Sequence, residues 1–352
     1  MGIRTKRYPN VQHFLERRIT MKRITFLVCI GLCLTGLIYS SGHAARLMRI
    51  NESFGPGSPE DLALQRFKQL VEEKTKGDLQ IRIYLLDQLG NPTTSLENLT
   101  IGTLDLYSGA LEYYEKMATD ELRVQSLLYL FRDRDHLKRY LKSPLFQKAL
   151  DRIQAQGIRF LSTEWSADRG PYRVTACTKP IRTPDDLAGV KKRIWPSDVI
   201  RRGWEQLGAT PVILPWTETY LAIKQGMIQA VSSPFGGLRN MRFTEVAKYV
   251  TETREFMQTW PIAISEKIWV QIPANQQQIL VESANEAGKL YSKINYDNVD
   301  TDMAAMKKEN NAEFLKVNLE PFAKKMEPLY QKLIQEGYLK KEIYDTVQAL
   351  KQ

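Results

Sequence analysis

A repeated alternation of strands and helices, clearest between Arg173 and Pro234, limits the fold of this chain more than any other feature. The predicted strands RVTAC and KKRI alternate with the helix start TPDDL and the helix IRRGWEQL. Thr183 can cap a helix, Pro184 fits its first turn, and Asp186 lies three residues after the cap. The order predicts an α/β layer in which helices cover a sheet.

The same alternation precedes this region. It begins with the strand LMRINES and a helix that Ser58 caps. Over residues 79–85 apolar and polar side chains alternate, as in a strand with one buried face. A second helix and the strand LDLYSGA complete a strand, helix, strand, helix, strand unit, which predicts a parallel sheet. The alternation restarts near Ile158 as part of a second α/β lobe, and a long helical pattern covers residues 274–317.

The first 44 residues have the features of a secretory signal peptide. Lys22 and Arg23 precede an apolar stretch from Ile24 to Tyr39, which gives way to the small residues of SSGHAA. This order suits cleavage after Ala44, and Met21 is the more usual start point. The apolar stretch is short for a membrane-spanning helix, so an uncleaved anchor is the weaker alternative.

The formal charge of +10 does not indicate a nucleic-acid-binding protein once the charges are located. Residues 1–44 hold seven basic residues and one acidic residue, and in the remainder lysines alternate with Glu and Asp. Beyond Ala44, Cys177 is the only cysteine and His136 the only histidine. These counts exclude an intramolecular disulfide and zinc sites built from Cys and His. A Ser-His-Asp or Cys-His catalytic triad is excluded unless His136 is its histidine. In the charged stretch FRDRDHLKRY, His136 is predicted to face solvent.

Two arginines, two tryptophans and one glutamate are the candidate ligand-binding residues. Arg173 begins a strand directly after the turn DRGP, and Arg193 lies on a strand that enters the turn IWPSD. An arginine at a sheet edge can hold a carboxylate through two parallel hydrogen bonds, although a surface position or a basic edge strand explains the same residues. Trp195 and Trp216 can wall a pocket or belong to the core. Glu218 starts a helix, where it caps the helix or contacts a ligand hydroxyl.

Five segments, in the right order and spacing, resemble the solute-binding proteins of tripartite ATP-independent periplasmic (TRAP) transporters, the dicarboxylate-binding-protein (DctP) family. The resemblance covers nearly all of residues 47–320. The segments are FKQLVEEKTKGDLQIRIYLLDQLG, IGTLDL, RVTACTKPIRTPDDLAGVKKRI, LGATPVILPWTETYLAIKQGMIQAV and FTEVAKYVTET.

The resemblance implies two α/β lobes that close on a ligand like a clamshell, with a long helix spanning both. Arg173 matches the family's arginine that pairs with the substrate carboxylate, and Arg193 matches a second arginine in the G-x-K-x-R strand. Where the family carries an asparagine that touches the ligand, this chain has QAVSSP, which places Ser233 at that position. Trp195 stands where many relatives have a proline. These departures favour an aromatic or bulky organic acid over sialic acid and C4-dicarboxylates.

We therefore expect residues 1–44 to be the signal peptide, residues 45–170 to form lobe 1 and residues 171–258 to form lobe 2. Residues 259–352 are expected to supply a crossover strand and C-terminal helices that pack on both lobes.

The expected function is that of a periplasmic receptor that captures an organic acid anion and delivers it to a TRAP membrane permease, without a metal or cofactor. A monomer is expected, although the long C-terminal helices leave pairing of two chains open. A ligand-sensing partner of a membrane receptor is an alternative that the sequence does not separate from transport. An exported enzyme using carboxylates is the weaker alternative, because the adjacent Asp185 and Asp186 do not face each other on a helix.

Overall fold

The computed structural model describes residues 1–2 and 45–351, and the chain from Arg46 onwards forms one compact unit. Apart from the first two residues, the predicted signal peptide, with its alternative start at Met21 and its cleavage site after Ala44, lies outside the described residues. None of the helices in the described part is both long enough and apolar enough to cross a membrane.

Eleven strands form two sheets in this described part. They are β1 (Arg46–Asn51), β2 (Leu79–Tyr84), β3 (Leu106–Ser108), β4 (Ile158–Phe160), β5 (Arg173–Cys177), β6 (Lys191–Ile194), β7 (Thr210–Ile213), β8 (Ala230–Pro234), β9 (Tyr249–Thr251), β10 (Ile262–Ser265) and β11 (Glu313–Leu315). The first sheet has the order β2-β1-β3-β10-β4 and the second the order β11-β9-β5-β8-β6-β7.

Thirteen α-helices accompany these strands in the described residues. They are α1 (Pro59–Lys74), α2 (Pro92–Ile101), α3 (Thr119–Arg123), α4 (Arg134–Leu141), α5 (Pro144–Ala155), α6 (Asp198–Gln206), α7 (Thr219–Lys224), α8 (Phe235–Asn240), α9 (Glu266–Trp269), α10 (Ala274–Asp297), α11 (Val299–Asn310), α12 (Glu320–Gln335) and α13 (Lys341–Ala349).

The first strand-helix units form as predicted. The Ser58 hydroxyl accepts a hydrogen bond from the Asp61 amide at 3.1 Å and caps α1, and Pro59 occupies the first helical position. Phe67 and Val71 of α1 are fully buried against the sheet. Strands β1, β2 and β3 are mutually parallel, whereas β10 runs antiparallel to both β3 and β4. The strand near Ile158 thus belongs to the first sheet and does not open the second lobe.

In the second sheet β8 lies between β5, which carries Arg173, and β6, which carries Arg193. β6 is parallel to β7 and β8, and β5 is antiparallel to β8 and β9. The capping box of Thr183 and Asp186 forms, but it starts a 3₁₀ turn of four residues, Pro184–Leu187. A longer helix at this position is absent because the chain reaches β6 only four residues later.

The long helical pattern predicted over residues 274–317 is interrupted. The 24-residue helix α10 packs against α1 in the core of the first sheet, and α11 follows after Asn298. Asn311 takes a left-handed conformation (φ 51°), and β11 then joins the second sheet. Near the end of α10, Asn295 lies against Gly236 of α8, so this helix reaches from one sheet to the other. The predicted α/β fold with two lobes and a long spanning helix is confirmed.

The prediction that His136 faces solvent is wrong. Its side chain is fully buried, Nδ1 accepts a hydrogen bond from the Arg132 amide at 3.1 Å, and Nε2 lies 2.7 Å from the Val347 carbonyl oxygen. Because both ring nitrogens have partners, burial is tolerated, and it lowers the pKa of this imidazole. The histidine joins α4 to the C-terminal helix α13.

Candidate functional site

Three arginines converge where the two sheets meet. Arg173 is the first residue of β5, Arg193 lies on β6, and Arg169 follows an isolated bridge between Asp168 and Thr259. All three side chains are at least nine-tenths buried. Together with Phe54, Trp195 and Trp216 they line a small cavity, the arginine pocket.

Arg173 is held by its neighbours. Its Nε donates to Ser232 Oγ at 3.2 Å and to Glu255 Oε1 at 3.3 Å, and its Nη1 donates to Gln258 Oε1. The guanidinium carbon lies 4.6 Å from the centroid of the Phe256 ring. Burial lowers the pKa of Arg173, and the fully buried Glu255 carboxylate opposes that shift. The protein therefore fixes both the charge and the orientation of this side chain.

Arg193 is engaged less fully. Its Nε donates to the Leu214 carbonyl oxygen at 3.0 Å, and its guanidinium carbon lies 5.2 Å from the centroid of the Trp216 ring. Burial lowers the pKa of Arg193, while Tyr113 and Asp87 offset this only in part. Among the described residues no carboxylate forms an ion pair with it. A buried guanidinium in this situation attracts an anion strongly, because water screens it poorly.

Arg169 is a site residue that the sequence prediction missed. Its Nη2 donates to Glu60 Oε1 at 2.9 Å, and its guanidinium carbon lies 5.0 Å from the centroid of the Phe54 ring. Burial lowers the pKa of Arg169, but the neighbouring Tyr291, Glu60 and other groups raise it by a larger amount, so the net shift of this pKa is upward. The sequence held a signal for this residue, because it belongs to the same turn, DRGP, that introduces Arg173.

Glu112 also lines the arginine pocket and was not predicted. It lies in the 3₁₀ turn Leu111–Tyr114 and is 2% exposed. Its Oε2 accepts from Gln258 Nε2 at 3.3 Å, and its Oε1 is buried without a hydrogen-bond partner among the described residues. Burial raises the pKa of Glu112 to about 7, against the lowering effect of Arg173 and Arg169.

A larger cavity adjoins the arginine pocket. The arginine pocket has a volume of about 20 Å³, room for a single water molecule, whereas the neighbouring cavity, here called the outer chamber, has about 610 Å³. Side chains from within the segments 91–100 and 112–117 line one side of the outer chamber, and side chains from within 193–198 and 213–216 line the other. The two cavities share five lining residues: Glu112, Tyr113, Arg193, Trp195 and Trp216.

Trp195 and Trp216 are both walls of these cavities and parts of the core. Trp195 packs on Phe256 with ring centroids 5.7 Å apart, and Trp216 packs on Phe54 at 5.2 Å. The two indoles are only 7% and 4% exposed. Each tryptophan therefore lines a cavity and also packs in the core, so the two alternatives do not exclude each other.

Ser233 and Glu218 lie elsewhere. Ser233 is fully buried, pairs with Val174 of β5, and donates its hydroxyl hydrogen to the Pro234 carbonyl oxygen at 2.7 Å. Its neighbour Ser232 instead lies on the face of the sheet that carries Arg173, since alternate residues of a strand point to opposite faces. Glu218 is exposed at the start of α7 and lines neither cavity.

The site is suited to holding an anion by positive charge and hydrogen bonds. Within the described residues no group of three or more His, Cys, Asp and Glu side chains is arranged to hold a metal ion. Glu255 and Glu60 each contact one of the arginines and fix its position, so the guanidinium groups are oriented before any ligand arrives. Such preorganisation lowers the entropic cost of binding.

Comparison with known proteins gives one family and several relatives of similar length. Residues 50–336 match the model of a family described as bacterial extracellular solute-binding protein, family 7 (DctP). The chain is 24% identical over 274 residues to the C4-dicarboxylate-binding periplasmic protein DctP of Rhodobacter capsulatus, which covers 78% of this chain and 81% of that protein. It is 24% identical over 316 residues to the sialic acid-binding periplasmic protein SiaP of Vibrio cholerae, covering 89% of this chain and 94% of that one.

A solved structure agrees with the fold. The TRAP periplasmic solute-binding protein of Ochrobacterium anthropi with bound L-fuconate has a TM-score of 0.78 and 25% sequence identity to this chain. The match covers 88% of this chain and 100% of that one.

Proposed function

Because this chain belongs to the bacterial extracellular solute-binding proteins of family 7, we propose that it captures an organic acid anion between its two lobes and delivers it to a membrane permease of the TRAP type. It is a binding protein and not an enzyme, and it acts in the periplasm. The proposal assigns the carboxylate of the ligand to the arginine pocket.

Arg193 carries this proposal. It is buried, burial lowers its pKa, its Nε donates to the Leu214 carbonyl oxygen, and no carboxylate among the described residues forms an ion pair with it. A carboxylate that accepts hydrogen bonds from the guanidinium compensates the buried charge, and the planar fork of arginine matches the two carboxylate oxygens. In a site closed to water such a pairing is stronger than at the surface.

Arg173 and Arg169 are proposed to assist. Glu255 and Glu60 hold them through contacts of 3.3 and 2.9 Å, so they add positive charge in fixed positions while much of their hydrogen-bonding capacity is already used. Trp195 and Trp216 are proposed to contact the body of the ligand. Ser233 and Glu218 have no role in this proposal, because their side chains do not line the cavities.

The relatives support an acidic ligand. They are named for C4-dicarboxylates and for sialic acid, and the Ochrobacterium anthropi protein holds L-fuconate. The chemical feature these compounds share is a carboxylate. We extend to this chain that shared feature and not the identity of any one compound.

Ligand entry is proposed to require separation of the lobes, residues 45–170 and 171–258, with residues 259–352 connecting them. The arginine pocket, at about 20 Å³, is too small for a carboxylate with its attached carbon. Hinge opening admits the acid, and closure then removes water from around the arginines. We propose that a monomer carries out this cycle and presents the closed form to the permease.

A thermal-shift screen of the secreted protein, expressed with its own N-terminal segment, tests the proposal. Each organic acid is paired with its amide, which keeps the shape and removes the charge. A ligand that binds the folded state raises the melting temperature by linkage, so we expect acids to raise it and their amides to leave it unchanged. Stabilisation by neutral solutes with no response to any acid would contradict the proposed function.

A further inference from the structure

The outer chamber opens directly from the arginine pocket. A ligand whose carboxylate reaches Arg193 has to place the rest of its body here, because Arg193, Trp195 and Trp216 line both cavities. The chamber volume of about 610 Å³ lies within the range of roughly 300 to 1,000 Å³ that is usual for sites that enclose small organic molecules.

Apolar side chains face each other across this chamber. Leu96 and Met117 contribute from one side, and Trp195, Pro196, Ile213 and Leu214 contribute from the other. Ile213 is 56% exposed although it is a large aliphatic residue. An apolar body between these walls removes their surface, and its own, from water.

The charged groups of the chamber disfavour a second carboxylate. Glu97, Glu115 and Asp198 line the chamber but not the arginine pocket, whereas Glu112 stands at the junction of the two cavities. Two cations line the chamber besides Arg193. Arg123 Nε lies 3.8 Å from Glu115 Oε1, and the guanidinium packs over the ring of Tyr338. Lys116 is exposed, so water screens its charge.

We propose that the ligand is a monocarboxylic acid with an apolar, ring-bearing body, whose carboxylate binds the arginine pocket and whose ring lies in the outer chamber between Leu96 and Trp195. This inference rests on the proposed function, since it takes the carboxylate position from it. A dicarboxylate would place its second negative charge in a chamber that Glu97, Glu115 and Asp198 line, and a sugar acid would set its hydroxyl groups against the apolar side chains of Leu96 and Trp195.

Isothermal titration of the secreted protein with 4-phenylbutyrate, 3-phenylpropionate, propionate, succinate and D-glucuronate tests the inference. The phenyl acids are expected to bind at least about tenfold more tightly than the other three, since only they bury a ring. Tighter binding of succinate or D-glucuronate would overturn the inference and leave the proposed function intact. Failure of all five acids to bind would overturn both.

Two matched variants locate the ring. Ile213→Asp places a charge in the chamber wall and is expected to weaken phenyl-acid binding about fivefold or more, and to weaken it by a larger factor than propionate binding. Leu221→Asp is the control, because Leu221 is exposed to a similar degree, 53%, but lies outside the chamber. Equal effects of the two variants on 4-phenylbutyrate would contradict the placement of the ring.

Glu97→Gln supplies an independent readout, because Glu97 lines the outer chamber but not the arginine pocket. The amide keeps the shape of the side chain and removes its negative charge, so succinate binding is expected to improve relative to 4-phenylbutyrate. An unchanged ratio of the two affinities would show that Glu97 does not select against a second carboxylate and would overturn that part of the inference.

Discussion

Replacing Arg193 with Met separates ligand binding from stability more cleanly than any other change in the site. The methionine removes the guanidinium that is proposed to hold the carboxylate but keeps a long apolar side chain against Trp216. Each charge-assisted hydrogen bond contributes about 1.5 to 3 kcal/mol, so losing one weakens binding about 10- to 150-fold.

The same substitution has a small effect on the folded protein. It leaves the Leu214 carbonyl oxygen, now 3.0 Å from Nε, without this donor, which costs about 1 to 3 kcal/mol. It also removes a buried cation whose pKa burial has lowered, which offsets that cost. The two effects oppose each other, and the melting temperature without ligand should therefore shift by only a few degrees.

The assay is isothermal titration with the tightest acid from the screen, with melting curves recorded for the same samples. Arg193→Lys is the matched variant, since it keeps the charge but loses the planar fork, and it should bind with intermediate affinity. An unchanged dissociation constant for Arg193→Met, in a variant that melts normally, would refute the reasoning.

Three further predictions concern Arg173, Glu112 and the N-terminal segment. Arg173→Met should lower the melting temperature by about 6 °C or more, because it leaves the buried Glu255 carboxylate without its arginine partner at a cost of about 3 to 5 kcal/mol. Adding Glu255→Gln to this variant should restore much of the lost stability. Calorimetry measures the effect, and equal melting temperatures of the wild type and Arg173→Met would count against this prediction. The pKa of Glu112 is raised to about 7, and a bound anion raises it further, so binding takes up a proton. The affinity for the acid, measured by isothermal titration at several pH values, should be highest below pH 7 and fall as pH rises through that value. If the affinity of Glu112→Gln depends on pH in the same way, another group causes the effect. Mass spectrometry of the secreted protein should give an N-terminus at Ala45, and retention of the apolar segment 24–39 would contradict the predicted cleavage.

Local signals in the sequence predicted much of the fold. The cap at Ser58, the capping box of Thr183 and Asp186, and the alternating strand at residues 79–84 depend on neighbours within a few positions, so they can be identified without tertiary information. The strand-helix alternation likewise predicted two α/β layers. The antiparallel entry of β10 between β3 and β4 could not be predicted in this way, because it joins segments more than 100 residues apart.

The site was less accessible to sequence reasoning. The positions of Arg173 and Arg193 on strands predicted that both belong to the site. Ser233 was predicted to contact the ligand, but Ser232 is the serine that lies beside Arg173, since a shift of one residue turns a side chain to the other face of a sheet. Arg169 and Glu112 lie in turns, where no periodicity tells which way a side chain points. His136 was predicted from its charged neighbours, whereas its burial depends on a contact with Val347, far along the chain.

The most direct test of the central claim is a crystal structure of the secreted protein with its tightest organic acid. We predict a carboxylate whose two oxygens accept hydrogen bonds from the Arg193 guanidinium, at roughly 2.7 to 2.9 Å. A ligand bound elsewhere, or one that turns a neutral group towards Arg193 and its carboxylate towards solvent, would contradict it.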